Sequence, residues 1–192
     1  SAVEVRTGYV DHPQVSAGQN EQFIIVYRER EAILDPDEVY FIRYFYSHDG
    51  TTFAGEASTT HSSNIEKPYV ALDPLANAVN DCNFAIAWST GTSFSLREGR
   101  VETQNTLNLD STTTHSGRAY DMTAGRLDDG AGNPFVYSLI TISIDNDAKI
   151  YTFEFDENDI LDEFVLGMGY INPRLAMDQE TGNLLLAWED YN

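Results

Sequence analysis

Apolar and polar residues alternate along this chain in short runs, and the runs recur as a unit. Four times a short strand-like segment that starts at proline, or at alanine in its place, precedes a stronger apolar run. The pairs are 13–17 before 23–27, 68–72 before 84–88, 119–123 before 135–139 and 173–177 before 184–188. Their starts at Pro13, Pro68, Ala119 and Pro173 lie 51 to 55 residues apart. Period-two alternation and short buried runs predict β-strands, and a fixed period of this length predicts stacked or radially arranged supersecondary units.

Within the first unit, strands are predicted over 13–17, 22–27, 40–46 and 52–58, with turn residues Gly18 and Asp49-Gly50 between them. The second unit offers 69–72, 84–88, 94–102 and 105–110, and the third 120–124, 135–142, 149–155 and 164–168. Each is a four-stranded antiparallel meander. Asp128-Asp129-Gly130 and Asp178 to Gly182 occupy matching places between first and second strands, where Asp and Gly tolerate tight turns. The segments Thr59-Thr60-His61-Ser62 and Thr113-Thr114-His115-Ser116 coincide at an offset of 54 and are read as following the fourth strand. Only 29–38 and 156–163 tolerate helix, and Pro36 interrupts the first.

Units of four strands repeating at this period predict an all-β, β-propeller-like array of blades, with the first strand innermost. The repeats run approximately 13–66, 68–117, 119–171 and 173–192, with 2–10 as an outer strand, all in a single domain or part of one. That makes three full blades and a partial fourth shared by the termini. An immunoglobulin-like sandwich is the alternative, but it does not explain a pattern held in register four times. Residues 2–7 are expected to pair beside 184–188 and close a small ring, unless the chain contributes to a larger ring. Trp88 and Trp188 end second strands and are expected in the core.

Charge narrows the partners. The 31 acidic residues outnumber 11 basic ones, giving a formal net charge of −20, and the lysines are Lys67 and Lys149. Such a body repels phosphate backbones and anionic membranes, so nucleic acid is excluded. No apolar run approaches a membrane span, and insertion is not expected. A lysine-poor acidic surface that salt screens points to a secreted or cell-surface protein. The single Cys82 excludes an internal disulfide and is expected as a small buried residue.

Chemistry concentrates in the loops. Arg28, Arg30, His61, Lys67, His115 and Arg118 are expected on one rim, as a cluster for carboxylate or sulfate groups of a polysaccharide, or for a protein partner. Paired internal acids are the plainer reading of the same arginines. The opposite rim gathers Asp156, Asn158 and Asp162, or Asp145 and Asp147, the alternating oxygens that calcium takes, although no glycine marks the turn of a full calcium loop. No nucleophile elbow, zinc helix or phosphate loop is present, so binding or self-association is favoured over catalysis. A glycoside hydrolase or lyase using rim carboxylates with Arg118 or Arg174 is one alternative. A structural subunit of an extracellular assembly is another.

Two resemblances sharpen this. Pro68-Tyr69-Val70-Ala71 with Phe84 and Trp88, and Pro173-Arg174-Leu175-Ala176 with Leu184 and Trp188, resemble tandem propeller-type repeats of large exported bacterial proteins, adhesins and calcium-rich surface proteins among them. The likeness covers most of the chain and implies a compartment and a binding role. Ser47-His48-Asp49-Gly50-Thr51-Thr52-Phe53 is similar to the Asp-box of sialidase-type propellers, one residue shorter and present once. It implies a stabilised turn between third and fourth strands, with no catalytic part.

Overall fold

A computed structural model describes residues 9–19, 21–30, 39–62, 65–74, 82–103, 106–126, 135–142, 147–155, 160–168, 171–178 and 181–189. These residues form fifteen strands and no helix. The first sheet holds β1 (Val10–Ala17), β2 (Phe23–Arg30), β3 (Tyr40–Ser47) and β4 (Phe53–Ser62) in chain order. The second holds β5 (Ile65–Leu72), β6 (Cys82–Thr90), β7 (Ser93–Thr103) and β8 (Thr106–Leu109), with β9 (Thr113–Ser116) also on β7. In the third lie β10 (Arg118–Arg126), β11 (Phe135–Ile142), β12 (Asp147–Glu154) and β13 (Ile160–Met168). A fourth, two-stranded sheet joins β14 (Ile171–Met177) to β15 (Leu184–Glu189). All pairings are antiparallel, so the predicted meanders form as read.

The sheets stack face to face because every second strand is apolar on both sides. Phe84, Ile86 and Trp88 of β6 share a core with Ile24, Val26, Ile42 and Tyr44 of the first sheet. The residues between them, Ala85 and Ala87, share a second core with Phe135, Tyr137 and Leu139 of β11. Ile140 and Ile150 of the third sheet then meet Leu175 and Leu186 of the fourth. Alternate positions therefore face the preceding sheet, and the intervening ones face the following sheet. Each large apolar side chain buried this way contributes roughly 1.5–3 kcal/mol.

First strands lie side by side, β1 against β5, β5 against β10 and β10 against β14. Side chains stitch them: Leu72 N–H donates to Ser16 Oγ at 3.0 Å, and Leu175 N–H to Asp121 Oδ2 at 2.9 Å. Close approach requires glycine at the strand ends. A Cβ on Gly125 would sit 2.9 Å from the Asp178 carbonyl oxygen, and one on Gly18 3.0 Å from that of Asp73. Each first strand also carries a register shift near its start, next to Pro13, Pro68 and Pro173 in three of them and between Ala119 and Asp121 in the other. His12 and Asn172 take positive φ values of 50° and 47° immediately before their prolines, where a bulge bends the strand and right-handed helical geometry is disfavoured.

Three expectations change. The Thr-Thr-His-Ser segments are strand, not linkers: His61 pairs with Phe41 in β4, and His115 with Phe94 in β9. In the second sheet the outermost strand is broken at 110–112, so β8 and β9 both pair with β7, whereas β4 runs unbroken. Trp188 is 50% exposed against 3% for Trp88, and among the described residues the fourth sheet has two strands. Cys82 is buried, as expected. Residues 2–7, and with them the expected ring closure, lie outside the described residues.

Candidate functional site

One end of the first strands collects the predicted cations. Arg28 holds both carboxylate oxygens of Asp11, at 2.7 and 2.5 Å, and donates from Nη1 to the Ile65 carbonyl at 2.8 Å. Its guanidinium lies 4.3 Å from the Tyr40 ring centroid. This hydrogen bonding holds the Asp11 carboxyl below its ordinary range, against a smaller opposing effect of burial. Arg118 donates to the Gly91 carbonyl at 2.7 Å and lies 3.6 Å from Glu66, while Lys67 sits over the Tyr69 ring. Arg30 uses its backbone amide on the Tyr9 carbonyl. Arg28, Lys67 and Arg118 thus come to one end, and Arg28 and Arg118 bridge neighbouring sheets. The donors of the two arginines already serve internal acceptors.

The two histidines hold equivalent register places on separate sheets. His115 stacks on Phe94 at 5.1 Å and meets the edge of Phe153 at 5.8 Å. Burial pushes its pKa down, and Nε2 is buried without a hydrogen-bond partner. That is a packing role. The His61 side chain lies outside the described residues, as do Asp145, Asp156 and Asn158. Of the remaining calcium candidates, Asp147 pairs with Met168 and Asp162 with Thr152, at opposite ends of the β12–β13 ladder. Among the described residues no three metal-ligating side chains converge. Asp73 is fully buried and clasped by Arg126 at 3.1 and 2.6 Å.

Asp49 behaves as the turn resemblance implies. It accepts from the Thr52 and Thr51 amides at 2.6 and 2.9 Å and from Thr52 Oγ1 at 2.9 Å, while Gly50 supplies φ 71°. These bonds, the Thr52 amide foremost, hold the carboxyl far below its usual range.

Sequence reading missed Glu98, buried to 5% exposure between the second and third sheets, where Tyr137 Oη donates to it at 2.5 Å. Burial first, then the carboxylate, pushes the Tyr137 pKa up. The signal was there: Phe94, Leu96 and Glu98 share one face of β7. A 10 Å³ niche beside the pair, bordered by Ser111 and Thr113, has room for about one water.

Larger cavities also lie among the described residues. The four first strands line a space of about 320 Å³, with Val70, Leu72, Met122 and Leu175 on its walls, and none of its lining residues is a carboxylate. The second, of about 330 Å³, opens between the third and fourth sheets and is lined by Ile150, Thr152, Asp162, Phe164, Leu166, Leu184 and Leu186. On its walls Phe164 is 61% and Leu184 40% exposed. Among the described residues β15 pairs with β14 alone. No family model matches the chain, and a search of curated proteins finds no significant similarity.

Proposed function

We propose that the chain is a binding and assembly module of an exported or cell-surface protein, its sheets arranged as blades of a propeller-like ring. One observation carries this reading. The apolar phase that joins each sheet to the next continues to the fourth sheet and ends there on an exposed groove. Adjacency of the four first strands around one cavity supports the radial arrangement. Occupied rim arginines favour a protein partner over an anionic polysaccharide. Export is supported by composition, the net charge of −20 above all. Calcium is proposed at Asp156, Asn158 and Asp162 or at Asp145 and Asp147, and a melting temperature unmoved by chelator removes it.

Trp188 reports on the assembly reading. In material kept in its native assembly it is expected to be shielded from acrylamide quenching, and in the isolated chain to be quenched. Equal quenching in both overturns the reading.

A further inference from the structure

We propose that Met177 is an oxidation site: its thioether takes an oxygen atom from a hydroperoxide that enters the cavity between the first strands, and the resulting sulfoxide loosens the fourth sheet from the third. This stands apart from the assembly reading and needs no partner chain. The chain has three methionines, and their surroundings differ. Met168, at the end of β13, is 74% exposed. Met122 borders the same cavity as Met177 but is 8% exposed, held in the core shared by the second and third sheets. Met177 lies between these extremes. It is half-buried at the end of β14 and lines the 320 Å³ cavity, where a small solute meets it.

Its sulfur is also part of the joint between sheets. A Cβ on Gly125 would stand 2.5 Å from Met177 Sδ and 2.9 Å from its Cγ, so the thioether fills the place that glycine leaves open where β10 and β14 approach. The Asp178 carbonyl oxygen lies 2.9 Å from the same point. A thioether sits there without needing hydrogen bonds. Oxidation ends that fit. A sulfur lone pair attacks one oxygen of hydrogen peroxide, the O–O bond breaks as the S–O bond forms, and the departing hydroxide takes the proton of the transferred oxygen and leaves as water. Sulfur gives up two electrons and the peroxide accepts them. The product is wider and strongly polar, and the neighbouring carbonyl, an acceptor, cannot pair with its oxygen. Moving the end of β14 away from β10 relieves the contact. Two positions back, Leu175 N–H donates to Asp121 Oδ2 at 2.9 Å, so that bond opens with it.

Peptide mapping of the full chain treated with hydrogen peroxide is expected to show oxygen added to Met168 first, to Met177 next and to Met122 last. Once Met177 is oxidised, hydrogen exchange at the Leu175 amide should quicken about tenfold and the melting temperature should fall by about 2–4 °C. Oxidation of Met168 alone should change neither. Met177→Leu, close to methionine in volume, is expected to hold both values under peroxide, whereas Met168→Leu should lose them as the parent does. Treatment with a methionine sulfoxide reductase should restore the oxidised parent, which assigns the effect to the sulfoxide even where Met177→Leu folds poorly. The proposal is overturned if Met177 oxidises no faster than Met122, if its oxidation leaves the Leu175 amide unchanged, or if peroxide still speeds that exchange in Met177→Leu. None of these outcomes depends on the shielding of Trp188, so this proposal and the assembly reading fail separately.

Discussion

Trp88 and Trp188 end the second strands of two copies of one pattern, yet the first is 3% and the second 50% exposed. Phe84-Ile86-Trp88 and Leu184-Leu186-Trp188 have the same alternation, and Phe84, Ile86, Trp88 and Leu186 turn toward the preceding sheet. What differs is company. The second sheet is covered on both faces and continues through β7 and β8, while the fourth stops at β15 among the described residues. Burial is thus a property of the neighbouring strands rather than of the side chain itself. An apolar residue becomes core only when a sheet arrives to cover it.

The comparison breaks if truncation costs the same in both places. Phe84→Ala, in the covered sheet, is expected to lower stability by about 3–5 kcal/mol, as the loss of a buried ring and the cavity it leaves require. Leu185→Ala, on the open face, should stay within about 0.5 kcal/mol. Chemical denaturation of the two variants decides it, and a large loss at Leu185 means that the face is covered.

Ion pairs sharpen the same contrast. Arg126→Met removes the guanidinium from the fully buried Asp73 carboxylate and should cost about 3 kcal/mol. Lys149→Met breaks the pair with Glu163 on the open third-sheet edge, where both side chains are more than a third exposed or nearly so, and should cost under about 1 kcal/mol. Equal losses would place the β12–β13 hairpin inside a covered interface.

A smaller effect separates the covered junction by pH. The His115 pKa is depressed in the folded chain below 6.5, so the unfolded chain takes up a proton first as pH falls. Stability is expected to be full above pH 6.5 and to decline as the medium acidifies through and below that value. His115→Phe keeps the stack on Phe94 and should flatten this part of the melting curve; an unchanged slope assigns the titration elsewhere. The smallest change is at the exposed turn. Asp49→Ala should lower the melting temperature slightly at neutral pH, and the gap from the parent should close below about pH 3.8, because the depressed carboxyl of the parent loses its contribution as it protonates. A gap that persists in strong acid would show that the carboxylate is not what holds the turn.

Much of the fold was legible because each second strand advertises itself. The strand runs over 84–88, 135–142 and 149–155 appear as β6, β11 and β12, within a few residues. The T-T-H-S segments misled, since Thr and Ser next to His read as linker, and only pairing of His115 with Phe94 reveals a strand. Candidate site residues fared unevenly for a related reason. Arg28, Lys67 and Arg118 do share an end of the sheets, but whether an arginine awaits a ligand or clasps Asp11 depends on a side chain seventeen positions away. Glu98 was hidden by its charge, although its place in the alternation with Phe94 and Leu96 marked it as inward-facing.

By itself the sequence determined the strands, their order in three meanders and a last strand pair, and the apolar run of each second strand, because local alternation and turn chemistry specify all three. Tertiary structure alone decided which phase meets a partner. It paired Asp73 with Arg126 and Tyr137 with Glu98, closed the spacing at Gly18 and Gly125, and left Leu185 and Phe164 in water. These are long-range contacts between sheets, and burial there depends on what stands opposite. The repeat names the face that seeks a neighbour; only the assembled sheets show where that neighbour is missing.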